Sequence, residues 1–572
     1  MISQIKLKIK IGLRFVVVFL ITYKLTAQST NADNVVIDVD FENEIGPMNP
    51  IWAWWGYDEP NYTYMKDGKK LLTEISQFSP VPVYVRAHSL LVTDEGPRAA
   101  LKWGSTNVYT EDPMGNPIYN WTIIDSIFDT YIERGMKPFA QIGFMPKTLS
   151  IKPEPYRHFW KPGIAYDEIY TGWAYPPNDY EKWAELVFQW VKHSIERYGR
   201  EEVESWYWEV WNEPNIGYWR GTTEEYIKLY DYAADAVKRA LPTAKVGGPE
   251  TTGPGWDKAA EFLRTFLDHV KNGTNYATGK KGTPLDFITF HAKGSPKVVD
   301  GVVQMNMGAQ LNDIRSGFEI VSSYPEFKDL PIIIGESDPE GCAACSEADY
   351  PHNAYRNGTM YSSYTAASFA RKYAMADVYK VNLLGAVTWG FEFENQAWYA
   401  GYRDMATNGV DKPVLNVFRM FGMMRGKRIE LNSTHSNSFD SIIQNGVRGD
   451  QTDIGGLASL EKNSACIMVW NYHDNNEDMG KTTPVEINLS GLSEKKVLLE
   501  HFTIDQTNSN SYNLWLKMGK PQNPTADQIS QLEKAGQLKL ATSPIYISIV
   551  GGKTTLNLDL ERQAVSLFKL SW

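Results

Sequence analysis

The chain carries three cysteines in 572 residues, Cys342, Cys345 and Cys466, too few for a disulfide-stapled scaffold. Two of them fall in Cys342-Ala-Ala-Cys345, a spacing that predicts a local disulfide in an exported chain; Cys466 is left as a buried thiol. A zinc site would need two further ligands, and His352 is the one histidine nearby, so neither metal nor other cofactor is expected. Positive charge is also in short supply. With 57 Lys and Arg against 68 Asp and Glu, the net charge is −11, which argues against a nucleic-acid partner and leaves room for a local basic pocket facing an acidic sugar. The Gly-rich phosphate loop of a doubly wound nucleotide-binding sheet is missing. Long apolar runs are missing too: FVVVFLI (15–21) falls short of the ~20 residues that cross a bilayer. Preceded by Lys6, Lys8, Lys10 and Arg14 and followed by LTAQST (25–30), it reads as a secretory signal cut near Ala27. No cysteine stands there for a lipid anchor. The expectation is an exported protein, periplasmic or secreted, with no membrane insertion once the leader is removed.

What the chain has is aromatic side chains: 19 Trp and 32 Tyr, enough for a large core and for faces on which sugar rings stack. The densest run is YWEVWNEPNIGYWR (207–220). An apolar strand delivers Asn212 and Glu213 together, and Pro214 ends it. Cleavage of a glycosidic bond needs a carboxylic acid that protonates the leaving oxygen, and an amide beside it can bind a hydroxyl. The second carboxylate is found in PIIIGESDPEGC (331–342). Burying Glu336 at the end of so apolar a strand demands compensation or a function; Asp338, Glu340, Glu392 and Glu394 are its rivals. The 123 residues between Glu213 and Glu336 suit three strand-helix units. Glu213 is therefore read as acid/base and Glu336 as nucleophile.

Eight apolar runs recur between residues 50 and 392: 51–56, 81–88, 137–144, 203–211, 244–249, 285–291, 331–336 and 383–391. Amphipathic helices separate them, such as 121–135, 179–199 and 223–242. Alternation of this kind over about 340 residues fits an α/β fold, a (β/α)8 TIM barrel. Polar residues gather at the downstream ends of the runs, where such barrels hold their sites: Arg86 and His88, Asn212 and Glu213, His291, Glu336 and Trp389. Arg86 either keeps Glu336 ionised or pairs with a structural acid. His291 either binds a sugar or orients the nucleophile, or is structural, and Trp389 either floors the sugar pocket or packs. Aromatics in FMPK (144–147), HFW (158–160) and GYW (217–219) add to the same face. From about residue 427 short alternating strands take over, the pattern of a β-sandwich. The expected division is leader 1–27, an N-terminal strand within 28–45 that joins the sandwich, a catalytic barrel 46–426 and an accessory domain 427–572.

VYVRAH, YNWTIIDSIFDTYIERGMKPFAQIGFMPK, WYWEVWNEPN, KVGGPETTGPGW and LDFITFH run in an order that resembles glycoside hydrolase family 39, whose best known activities are β-D-xylosidase and α-L-iduronidase. The resemblance implies a (β/α)8 barrel with an accessory β-sandwich and a retaining, metal-free mechanism. It also implies the acid/base role for Glu213 and the nucleophile role for Glu336. Three departures stand out. The family's β-xylosidases usually have Tyr two residues after the strand-six His, where this chain has His291-Ala292-Lys293. Their nucleophile usually sits in Thr-Glu-Trp, here Gly335-Glu336-Ser337. The stretch 338–358 is also atypical. Lys293 either answers a carboxylate or sulfate on the substrate or points to solvent. The expected enzyme removes terminal β-D-xylosyl units from plant or algal oligosaccharides. Another sugar (uronic acid, α-L-arabinosyl) in an acidic polysaccharide is one alternative, and a non-catalytic carbohydrate-binding protein is the other.

Overall fold

The computed structural model describes residues 35–93, 106–152, 174–342, 345–450 and 452–572. The expected leader 1–27 and the aromatic segment HFW (158–160) lie outside the described residues. Eight parallel strands form the barrel: β1 (Trp54–Tyr57), β2 (Tyr84–Ala87), β3 (Lys137–Ile142), β4 (Tyr207–Val210), β5 (Lys245–Thr251), β6 (Phe287–Phe290), β7 (Pro331–Ile334) and β8 (Asn382–Ala386). They follow one another in space in chain order. β8 breaks at Val387: its first part pairs with β7, and its continuation Thr388–Trp389 pairs with β1, which brings the two ends of the sheet together. These strands are apolar because both faces are covered, by helices outside and by packed side chains inside.

The interior is layered by the two-residue period of a strand. Trp54, Phe139, Tyr207, Phe287 and Ile333 fill the lower layer together with Val387 and Trp389. Two residues further along β2, β3, β4 and β6 the same inward lane carries Arg86, Gln141, Glu209 and Thr289, all buried. The transition from aromatic to polar inside the barrel is thus written in the register, and it sets the site on top of a hydrophobic plug. The outer helices are capped as their sequences require. Thr222 and Glu225 form a reciprocal capping box at the start of Thr223–Ala240, and Asp179 accepts from two backbone N–H groups at the start of Tyr180–Tyr198.

The second domain is one ten-stranded sheet. The N-terminal strand Val35–Pro47 lies inside it, antiparallel to Lys427–Ser433 and parallel to Thr482–Ser490. The sheet folds over: Val485, Ile487 and Leu556 from one end share a core with Val497, Leu499 and Leu570 from the other, so a sandwich arises without two separate sheets. It is not purely β. Helices Ser511–Lys517 and Ala526–Gly536 interrupt it and pack Trp515 and Leu532 against Trp398, Tyr399 and Val410 of the barrel loops. Helix Thr359–Tyr379 is buried nearly all round, since one side faces the barrel and the other the sheet; its buried Ala and Ser residues, Ala366, Ala367, Ser362, Ser363 and Ser368, suit that double contact.

Candidate active site

The carboxyl end of β4 turns sharply. Trp211 and Glu213 both have positive φ, 74° and 45°, a conformation non-glycine residues adopt rarely and mostly at functional sites. The turn is held from below by aromatic packing. The Trp211 indole N–H donates to Tyr218 O (3.0 Å), Phe144 meets Trp211 edge-on at 5.2 Å and stacks on Tyr218 at 5.9 Å. The loop aromatics Phe144 and Tyr218, expected on the face of the site, are thus committed in part to bracing this turn. Glu213 N–H donates to Glu250 O (2.8 Å), and the Glu213 side chain keeps 15% exposure.

His291, at the end of β6, is fully buried and joins the acids. Its Nδ1 is 2.8 Å from Glu213 Oε1 and its Nε2 is 2.6 Å from Glu250 Oε1 and 3.7 Å from Glu336 Oε1. Burial alone would lower its pKa, but Glu336, Glu250 and Glu213 outweigh it and push the imidazole up to about 10, so both nitrogens donate at neutral pH. Glu213 and Glu336 therefore face opposite edges of one imidazolium ring.

Glu336 lies under four cationic or donor groups. Lys293 Nζ is 2.6 Å from Oε2; Arg86 Nη1 and His88 Nε2 each lie 3.5 Å from Oε1. Burial would raise its pKa, and the charges of His291, Lys293, His88 and Arg86 reverse that, holding the carboxyl well below the ordinary range. The side chain is an ionised carboxylate, as a nucleophile must be.

Arg86 ties the layer together. It donates to Glu209 Oε2 (2.5 Å) and Asn212 Oδ1 (3.0 Å), lies 3.4 Å from Glu250, and sits 5.0 Å above the Trp389 ring. His88 packs on Trp389 at 4.4 Å with the rings tilted by 45°, and its Nδ1 lies 2.8 Å from Asp58. Trp389 is 1% exposed and belongs to the barrel plug: it supports Arg86 and His88 from beneath, with its ring covered by them. Lys293 does not point to solvent. Its ammonium bridges Glu336 and Asp338 (3.1 Å).

The sequence reading missed Glu209 and Glu250. Both are fully buried. Burial drives the Glu209 carboxyl well above the ordinary range, whereas Arg86 and His291 overcome burial at Glu250 and bring it to about 2. Two neighbouring carboxyls are thus pushed in opposite directions by their surroundings. A charged residue inside an apolar strand, as in YWEVW, is the signal that was available for Glu209. Glu250 enters where β5 is irregular, with φ 56° and a register shift after Pro249, so no simple alternation pointed to it. The rivals of Glu336 have structural partners: Asp338 accepts from Trp389 N–H (3.0 Å), Glu340 pairs with Arg403 (3.1 Å) and Arg356, Glu392 accepts from Gly409 N–H (2.5 Å), and Glu394 from Asp67 N–H (2.7 Å). Cys342 and Cys345 are bonded, with Cα atoms 5.5 Å apart, and Cys466 is a buried free thiol. Among the described residues no group of three or more His, Cys, Asp or Glu is arranged to hold a metal ion.

The family model for glycosyl hydrolases family 39 matches residues 35–552. A β-xylosidase of Caldicellulosiruptor saccharolyticus is 27% identical over 522 residues, covering 88% of this chain and 92% of its own. An α-L-iduronidase of Mus musculus is 23% identical over 529 residues, covering 87% and 75%. The crystal structure of a monomeric β-xylosidase from Caulobacter crescentus superposes with a TM-score of 0.71 at 22% identity, covering 94% of this chain and 99% of that one, which establishes a shared fold.

Proposed function

We propose that this chain, which belongs to glycosyl hydrolases family 39, removes terminal β-D-xylosyl units from oligosaccharides with Glu336 as nucleophile and Glu213 as acid/base. The family is one of retaining glycoside hydrolases, and the protein is such an enzyme. The observation that carries the assignment of roles is the difference in surroundings: Glu336 lies against Lys293, Arg86 and His88, whereas Glu213, among the described residues, meets His291 alone and stays partly exposed. Glu336, ionised, attacks the anomeric carbon; Glu213 gives its proton to the departing oxygen, then takes one from the water that releases the sugar with retained configuration. Asn212, fixed by Arg86, is suited to a sugar hydroxyl. The relatives named β-xylosidase support the sugar, and the leader-like N-terminal segment supports export to the periplasm or beyond.

A second reading has its own observation. Lys293 lies against the nucleophile and Asp338, and a substrate carboxylate or sulfate reaching this ammonium would move the specificity to a uronic acid or another sugar of an acidic polysaccharide. The test is a panel of aryl glycosides (β-xyloside, α-L-arabinoside, uronides) beside acidic oligosaccharides. Xyloside turnover that disappears in Glu336→Gln supports the first reading. Silence on xyloside with turnover of a uronide overturns it in favour of the second, and silence throughout leaves a carbohydrate-binding protein.

A further inference from the structure

Trp256 is 49% exposed and takes no part in the site described above. A single exposed aromatic is ordinary on a protein surface; its mounting is what sets this one apart. It ends the loop after β5, and that loop is stitched to the acid/base turn. Asn215 Nδ2 donates to Thr252 Oγ1 (2.6 Å), Thr252 N–H returns a bond to Asn215 Oδ1 (3.0 Å), and Glu213 N–H reaches Glu250 O just before the loop begins (2.8 Å).

The same loop is clamped on its other side. Asp313, from helix Met307–Ser322, accepts from Gly255 N–H (3.1 Å) with one oxygen and from Lys293 N–H (3.2 Å) with the other. Its carboxylate occupies the space a Cβ would need at both Gly253 and Gly255, 2.1 and 2.5 Å from the ideal positions, so two glycines let the acid and loop approach. Trp256 N–H closes the turn on Gly253 O (3.1 Å), and helix Asp257–Asn272 starts directly after. An indole left in water is thus carried on a loop tied on one side to the turn that holds Glu213 and on the other, through Asp313, to the backbone of Lys293. The Lys258 ammonium lies 5.6 Å from its ring.

The acid/base defines which side of the cleaved bond this is, because its proton goes to the oxygen of the departing sugar. We propose that Trp256 is the stacking platform for the leaving-group sugar, and so determines preference for oligosaccharide over simple glycosides. A preorganised ring loses little conformational freedom on binding, which is what such a subsite requires. The inference rests on the glycosidase reading.

The experiment compares wild type with Trp256→Ala on two substrates of whichever sugar the aryl-glycoside panel identifies: the glycosyl fluoride, whose leaving group fills no sugar subsite, and the disaccharide. The expected result is a loss of about tenfold in kcat/KM on the disaccharide, the scale of one aromatic stacking contact, with the fluoride unchanged and Trp256→Tyr close to wild type. Equal losses on both substrates would reduce the ring to a support of the loop and overturn the inference, as would an unchanged disaccharide rate. Wild-type silence on the fluorides of every sugar in the panel would remove the glycosidase reading, and this inference with it.

Discussion

Single atoms decide much of this site. A Cβ on Gly335 would lie 1.6 Å from Glu250 Oε1, inside any permitted contact, so Gly335→Ala must displace either the buried acid or the nucleophile beside it. The expected outcome is at least a tenfold loss of kcat with about 1–3 kcal/mol of destabilisation, read from kinetics and urea unfolding. His291 gives a pH prediction. Its pKa rises from an ordinary 6.5 to about 10 in the fold, so the folded state binds the proton more tightly. That contribution to stability is complete below about 6.5 and is lost as pH climbs through about 10. Unfolding free energies between pH 7 and 10.5 should fall more steeply for wild type than for His291→Gln; equal slopes would contradict the charged imidazole. At this scale Glu213 and Glu336 were legible because a carboxyl at the end of an apolar strand is conspicuous. The remodelling around Lys293 was visible only as two alternatives, of which the 2.6 Å contact with Glu336 removes the solvent-facing one.

Among elements, strands were easier to read than their interruptions. Apolar runs marked all eight barrel strands, yet nothing in LLGAVTWGF announced the break at Val387, since closing a barrel depends on partners distant in sequence; the burial of Trp389 was one of the two readings its sequence allowed. The helices within the second domain were missed because their flanks carry the Asn, Gly and Pro of a strand-and-turn pattern. The stretch 338–358 shows how an atypical loop is held. The Arg356 guanidinium donates to the carbonyls of Cys342, Cys345 (2.9 Å) and Gly401 (3.1 Å), and pairs with Glu340. The disulfide closes only a four-residue loop, worth about 2 kcal/mol on loop-closure grounds. Replacing Cys342 and Cys345 by Ser should cost no more than that and spare kcat. Arg356→Met leaves Glu340 buried without that partner and should cost about 3–5 kcal/mol. Calorimetry of the two variants ranks them; a larger loss from the Ser variant would contradict the account.

For the whole molecule, the contact between barrel and folded sheet is the question. Arg371, on the helix shared by both, gives a 2.6 Å bond to Asp453, which also accepts from Asn437 N–H (2.8 Å) and the Trp470 indole (2.8 Å). Because Asp453 is buried with three donors aimed at it, Asp453→Ala leaves the buried Arg371 guanidinium without its counter-charge and should cost about 3–5 kcal/mol. One shared buried helix predicts one thermal transition in wild type, shifted down in the variant; two separate transitions would mean the domains unfold independently. The N-terminal strand belongs to the same argument, since Val35–Pro47 completes a sheet built otherwise from residues after 426. The most direct test of the central claim is mass spectrometry after reaction with a 2-deoxy-2-fluoro glycosyl fluoride of the accepted sugar, which stalls a retaining enzyme at its covalent intermediate. The account predicts one added glycosyl unit, located on the peptide at Glu336. A label on any other carboxylate, or turnover with inverted configuration and no label, would contradict it.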